Sequence, residues 1–303
     1  MKFQNTIKAK TTVKGVGLHS GHQIRMDLCP APENHGIIFV RTDIRQGDNV
    51  IPALWDHVVD TQLCTVIGND QDVTVGTIEH VMSALRGCGV DNVRIEIDGP
   101  EVPVMDGSAM PFVEVIERVG LAQQFAPKRI IRVLKEVSVS ENGKSVTLSP
   151  LEASGFAGEI EFDHADIGLQ RFEMQLFNGN FKHDIAQART FGFLHEVDYM
   201  RARGLALGGS LENAIVLDRM RVLNPEGLRF EDEFIRHKLL DAIGDLYLAG
   251  GPILGQYDGV KAGHALNNAI LHELFSSPEN WEYVEPVFDV SQKKNKQELM
   301  LVA

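Results

Sequence analysis

Residues Thr77–Gly99 read TIEHVMSALRGCGVDNVRIEIDG, and the hydrophobic period changes halfway along them. Val81, Met82, Ala84 and Leu85 recur at helical spacing, so a helix is expected from Glu79, stopped by Gly87 and Gly89. Val93, Ile95 and Ile97 then alternate with Arg94, Glu96 and Asp98, the pattern of a strand with one face buried. A helix that hands over directly to such a strand is a building block of an α+β layer.

Working outward, strands are expected at Ile24–Pro32, Gly36–Asp43 and Val73–Thr77, and a second amphipathic helix at Pro111–Val119, ended by Gly120. The polar, proline-bearing segment Ala122–Arg129 reads as a link. It divides the chain into an N-terminal α+β domain over 1–125 and a C-terminal α+β domain over 126–303. Beyond it, Asn142-Gly143 between alternating runs signals a hairpin.

The second half echoes the first. A helix contains His237 where the first half has His80, and ILGQYDG closes on Asp258-Gly259 as VRIEIDG closes on Asp98-Gly99. Gly263-His264-Ala265 then leads into a helix, as Gly107-Ser108-Ala109 does earlier. MDLCPAP is likewise mirrored by VTLSPLE. The expected fold is therefore α+β with one unit duplicated, and two facing units leave a cleft between them. The second half carries an additional strand–helix–strand stretch near 188–224 that is apolar yet glycine-rich, suited to shaping a binding surface.

Composition sets bounds on function. The 303 residues include 29 Lys and Arg against 42 Asp and Glu, a net charge of −13, and both halves are acidic, so no nucleic-acid partner is expected. With 44% hydrophobic and 23% charged residues, a disordered or collagen-like chain is excluded. Cys29, Cys64 and Cys88 form no disulfide framework, which fits a reducing, cytoplasmic setting. MKFQNTIKAK lacks the apolar core of a secretory signal, and no apolar run is long enough to span a membrane. The final SQKKNKQELMLVA is polar and then apolar, either disordered or a regulatory handle.

Several residues could carry chemistry. His237 and Asp241, four apart on one helix, lie one above the other; that suits two ligands of one metal and equally a surface ion pair. Glu79-His80 opens the first helix. Adjacent side chains diverge, so His80 can ligate while Glu79 faces a reacting water, or the pair is a first-turn acid beside a buried histidine. The duplication places His80 and His237 at equivalent positions. With Asp241 they make three ligands and one open place, the catalytic rather than the structural pattern. His264, at a glycine-rich helix entry, suits acid catalysis or packing, and Asp245 could orient it or face solvent. Thr190 could steady an oxyanion or be an ordinary strand residue. No phosphate-loop or dinucleotide fingerprint is present, and VMDGSAMPF reads as a turn and helix start capped by Asp106 or Ser108.

The stretches TIEHVMSAL, EVPVMDGSAMPF, ARTFGF, LALGGSLENAIV, LRFEDEFIRHKLLDAIGDLYL and GHALNN together resemble the UDP-3-O-acyl-N-acetylglucosamine deacetylases, zinc amidases of lipid A biosynthesis. The resemblance covers nearly the whole chain and fades at the C-terminal end. It implies two similar domains, each a β-sheet layered on two helices, with the helix layers facing each other across the active site. It implies one zinc ion on His80, His237 and Asp241, a donor set that also accepts Fe2+. Glu79 would be the general base, His264 its cationic partner held by Asp245, and Thr190 the oxyanion donor. Lys238 would reach the substrate. The insertion would form an apolar passage for an acyl chain, lined by Phe191, Leu194, Met200, Ala206, Ser210 and Val216. Phe162, Asp163 and Lys261 would contact the UDP end, with Lys144 among the basic residues offsetting its charge. The implied partner is a UDP-linked acylated glucosamine, and a monomer is expected.

Overall fold

The computed structural model describes residues 3–177 and 179–284; the C-terminal SQKKNKQELMLVA, read above as a tail, lies outside them. In chain order the first half contains β1 (Phe3–Ile7), β2 (Thr11–Val16), β3 (Gln23–Pro30), β4 (Ile37–Arg41), β5 (Val50–Pro52), β6 (Val58–Asp60), β7 (Val66–Gly68), β8 (Thr74–Val75), α1 (Glu79–Cys88), β9 (Val93–Ile97), α2 (Met110–Val119) and β10 (Leu121–Pro127). The second contains β11 (Ile130–Val133), β12 (Val137–Glu141), β13 (Lys144–Ser149), β14 (Ser154–Phe162), β15 (Gly168–Gln175), α3 (Asn180–Asp184), β16 (Phe191–Phe193), α4 (Leu194–Arg201), β17 (Ile215–Leu217), α5 (Glu233–Tyr247), β18 (Ile253–Val260), α6 (His264–Phe275) and β19 (Trp281–Val284). The fold is α+β.

The main sheet of the first half has the order β2-β3-β9-β4-β5, with β4 parallel to β9 and the other neighbours antiparallel. In the second half the order β12-β13-β18-β14-β15 recurs, with β14 parallel to β18. There β11 also pairs with the start of β18 and with β19. Among the described residues every strand pairing stays within its own half.

Two local readings of the sequence need correction. Gly87 lies inside α1, which ends one residue later; Gly89, at φ 76, is the stop, because its left-handed turn suits a residue without Cβ. The segment Ala122–Arg129 is not a plain link: most of it is β10, paired antiparallel with β1. Its glutamines disguise a strand. Gln124 accepts from Asn92 Nδ2 at 2.7 Å and donates to the Ala31 carbonyl at 3.0 Å, so a polar face is satisfied inside the fold. The Asn142-Gly143 turn is as expected, both residues having positive φ between Glu141 and Lys144.

The helices meet in the middle: α1 packs on α2 and α5, and α5 also packs on α6. Helix α5 is buried on all sides except at Arg236 and Lys238, which is why its sequence lacks a clear polar stripe. Its approach to α1 depends on Gly244. A Cβ there would stand 2.0 Å from the Glu79 carbonyl oxygen and 3.1 Å from the Ser83 backbone nitrogen. Alanine gains roughly 1 kcal/mol in helix propensity over glycine, but backbone atoms cannot yield to the added methyl. Gly244→Ala is expected to destabilise the protein by about 2–3 kcal/mol, the scale of overpacking, readable as a lower denaturation midpoint. It is also expected to reduce activity, since the displaced atoms belong to Glu79.

Candidate metal centre and catalytic cleft

Glu79 and His80 open α1, His237, Asp241 and Asp245 lie on α5, and His264 is the first residue of α6. All six are buried. The helix contacts described above bring them to one place, although they come from both halves of the chain.

His80 Nε2 and His237 Nε2 are 3.0 Å apart, their rings near perpendicular, and Asp241 Oδ1 lies 3.6 Å from His80 Nε2. The donor atoms of these three residues all lie within 4.8 Å of one another. Tetrahedral ligands at zinc–ligand bond lengths stand about 3.3 Å apart, and the two short separations bracket that value. His80 Nδ1, His237 Nδ1 and Asp241 Oδ1 are buried with no hydrogen-bond partner among the described residues. Burial pushes His237 down to about 3, leaving a neutral imidazole with one nitrogen lone pair free to bind a metal. Burial works against the charge of Asp241, but the surrounding cations, with Lys238 Nζ 3.0 Å away, hold it well below the usual carboxylate range. Two imidazoles and a carboxylate, buried and converging with ring nitrogens and a carboxylate oxygen left unpartnered, fit a divalent cation.

Beside this cluster lies a polar network. Glu79 Oε2 accepts the backbone N–H of Thr65 at 3.1 Å. Burial raises the Glu79 pKa, and the charges of His264 and His80 only partly offset this. His264 Nδ1 is 2.8 Å from Asp245 Oδ2, and against the cost of burial that carboxylate lifts the imidazole to about 9. Asn267 Nδ2 donates to the same Asp245 oxygen at 2.9 Å, and Tyr257 OH donates to Asn267 Oδ1 at 2.7 Å. Asp245, which in sequence could equally have faced solvent, is buried and points at His264. Sequence reasoning missed Thr65, Asn267 and Tyr257. Asn267 falls within the quoted GHALNN stretch, whereas Thr65 carries no local signal.

Thr190 precedes β16 and lines the same cleft; its N–H donates to the Gly107 carbonyl at 2.8 Å. Its neighbour Arg189 is buried and clamps Glu233, the first residue of α5, with Nε 2.9 Å from Oε1. The insertion is thereby tied to the helix that carries His237 and Asp241.

Two cavities meet here. One, of about 420 Å³, is lined by Glu79, His80, Thr190, His237, Lys238, Asp241 and His264, and on its far side by Phe162, Glu141 and Lys144. The second, of about 320 Å³, is lined by Phe191, Leu194, Met200, Ala206, Ser210 and Val216 with other mostly apolar residues of the insertion. Leu18, His19, Leu63, Thr190, Phe191 and Gly192 border both cavities. Asp163 is exposed and lines neither, and Lys261, ion-paired with Glu161 at 2.7 Å, stands outside both as well. Ser108 and Asp106 form the turn before α2: Ser108 Oγ donates to Asp106 Oδ1 at 2.8 Å and accepts the Met110 N–H.

Comparison with known proteins shows the family. The family model described as UDP-3-O-acyl N-acetylglycosamine deacetylase matches residues 4–276. The UDP-3-O-acyl-N-acetylglucosamine deacetylase of Phenylobacterium zucineum (strain HLK1) is 51% identical over 279 residues, covering 92% of this chain and 95% of that protein. Those of Myxococcus xanthus (strain DK1622) and Shewanella violacea (strain JCM 10179 / CIP 106290 / LMG 19151 / DSS12) are 48% and 46% identical, covering 93% and 94% of this chain and 89% and 93% of their own. With a match of this length and identity, the chain belongs to the UDP-3-O-acyl N-acetylglycosamine deacetylase family of hydrolases.

Proposed function

We propose that this protein hydrolyses the N-acetyl group of UDP-3-O-acyl-N-acetylglucosamine, giving acetate and UDP-3-O-acyl-glucosamine, as a zinc-dependent step of lipid A biosynthesis in the cytoplasm. The observation that carries this reading is the convergence of His80, His237 and Asp241 beside Glu79 and His264, in a cleft that borders an apolar cavity. Among the described residues no helix is long and apolar enough to cross a membrane.

A zinc ion on His80, His237 and Asp241 would polarise the amide carbonyl and ease deprotonation of the attacking water. Glu79 accepts the proton from that water, whose oxygen adds to the carbonyl carbon. Thr190 donates to the developing oxyanion, and the cationic His264 stabilises the negative charge nearby. The proton held on Glu79, or one from His264, passes to the sugar nitrogen as the carbon–nitrogen bond breaks. Acetate and the free amine result. Asp245 orients His264 and favours its charged form.

The rest of the cleft suits the rest of the substrate. The insertion cavity takes the acyl chain, and Lys238, Lys144 and Phe162 line the space for the UDP end; Lys261 and Asp163, outside both cavities, would contact it only if that end extends beyond the cleft. Domains spanning 1–125 and 126–303 arise from one duplicated unit, a reading supported by the matched strand orders β2-β3-β9-β4-β5 and β12-β13-β18-β14-β15. In this reading the enzyme acts as a monomer.

The test is acetate release from the acylated substrate and from UDP-N-acetylglucosamine lacking the acyl chain. Turnover of the acylated compound is expected, with kcat/KM for the unacylated one lower by at least about a hundredfold, because remote apolar contacts contribute to reaching the transition state. Equal turnover of both would refute the acyl-passage assignment. No turnover of either in the metal-loaded protein would refute the activity.

A further inference from the structure

We propose that Thr65 is a positioning residue that holds the general base and the cationic histidine in register. The proposal rests on the roles given above to Glu79, Asp245 and His264. Thr65 lies just before β7, in the first half of the chain, and is 1% exposed. Its backbone is bound to the start of α1 from both sides: its N–H donates to Glu79 Oε2 at 3.1 Å, and its carbonyl accepts from the Ile78 N–H at 3.4 Å. Its side chain reaches into the second half, where Oγ1 donates to Asp245 Oδ1 at 2.6 Å and stands 3.2 Å from His264 Nδ1.

Counting protons assigns the directions. A carboxylate only accepts, so the single hydroxyl proton of Thr65 goes to Asp245. The contact between Thr65 Oγ1 and His264 Nδ1 therefore requires the proton on Nδ1, shared between Asp245 Oδ2 and the threonine oxygen. Asp245 thus receives three donors, from Thr65, His264 and Asn267. The bonds fix which His264 nitrogen is committed to the network and leave Nε2 for the cleft. One residue then sets the placement of Glu79 on one helix relative to His264 on another. A threonine that merely filled a gap would be replaced without loss by valine, which has the same shape.

The experiment compares Thr65→Val, Thr65→Ser and the unmodified protein. Thr65→Val keeps the backbone bonds to Glu79 and Ile78 and removes only the hydroxyl. In the zinc-loaded enzyme it is expected to lower kcat about tenfold, the scale of one charge-assisted hydrogen bond, with KM changed less than twofold. Thr65→Ser is expected to recover most of that loss. Independently of activity, the Nδ1 proton of His264 is followed by NMR in metal-free, 15N-histidine-labelled protein, assigned by its absence in His264→Gln. A shifted or exchange-broadened resonance is expected in Thr65→Val and a near-native one in Thr65→Ser. A valine variant with native kcat and an unmoved resonance would overturn the proposal, as would a serine variant as impaired as valine. If the unmodified enzyme releases no acetate, the assigned activity fails, while the resonance still decides whether the threonine hydroxyl holds His264.

Discussion

His237→Ala is expected to abolish stoichiometric metal binding and, with it, acetate release. The unmodified protein, stripped with a chelator, should take up one equivalent of zinc and regain activity. Loss of one of three protein ligands should weaken that binding by at least about a hundredfold, since even the outer partners of metal ligands are worth 10- to 100-fold. Thermal denaturation provides a readout separate from turnover. Zinc at a hundred times its dissociation constant should stabilise the unmodified protein by about 2.7 kcal/mol through mass action, and the variant by no more than about 0.4 kcal/mol. A variant that still bound one equivalent, or a native protein that bound none, would disprove the His80, His237 and Asp241 site. Repeating the titration with Fe2+ compares the two metals on the same donors.

Glu79→Gln should lower kcat by about 10²- to 10⁴-fold, the usual worth of a positioned general base, while one equivalent of metal still binds. Glutamine has the same shape and its amide oxygen can still accept the Thr65 N–H, so only the capacity to take a proton is lost. The pH profile separates the two groups. Burial holds the Glu79 pKa above the usual carboxylate range, so the rate should fall as pH drops through that raised value and Glu79 becomes protonated. His264, lifted to about 9, should remain charged through neutrality, and the rate should fall as pH rises past about 9. The same shift means that charged His264 stabilises the fold fully below the ordinary imidazole range, and that this contribution disappears as pH rises through about 9. Glu79→Gln should remove the acidic limb and His264→Gln the basic one. Loss of the same limb in both variants would show that the two residues do not divide the proton transfers in this way.

The elements that sequence made legible are those whose information is local. Helix α1 was readable because Val81, Met82, Ala84 and Leu85 face one way at a period of 3.6, and the hairpin because Asn142-Gly143 permits two successive positive φ angles. The His237 and Asp241 pair was legible for the same reason: their spacing of four is one helical turn. Strand β10 was not legible, since Gln123 and Gln124 look like solvent-facing residues until Asn92 and the Ala31 carbonyl are seen beside Gln124. Thr65 was hidden more completely. Its partner Asp245 is 180 positions away, and no pattern within a window of the chain links a loop threonine to a helix on the other half.

The sequence by itself determined the α+β elements and set His237 and Asp241 on one helical face, because side-chain periodicity and helical spacing are properties of neighbouring residues. Whether His237 and Asp241 lay at the surface or buried beside His80, and whether Asp245 faced solvent or His264, was decided only by the tertiary structure. The close approach of α5 to α1 at Gly244 buries these groups together, among one another and a few polar neighbours. Desolvation makes an isolated charge or lone pair costly and a converging set valuable to a cation, and desolvation depends on residues that are distant in the chain.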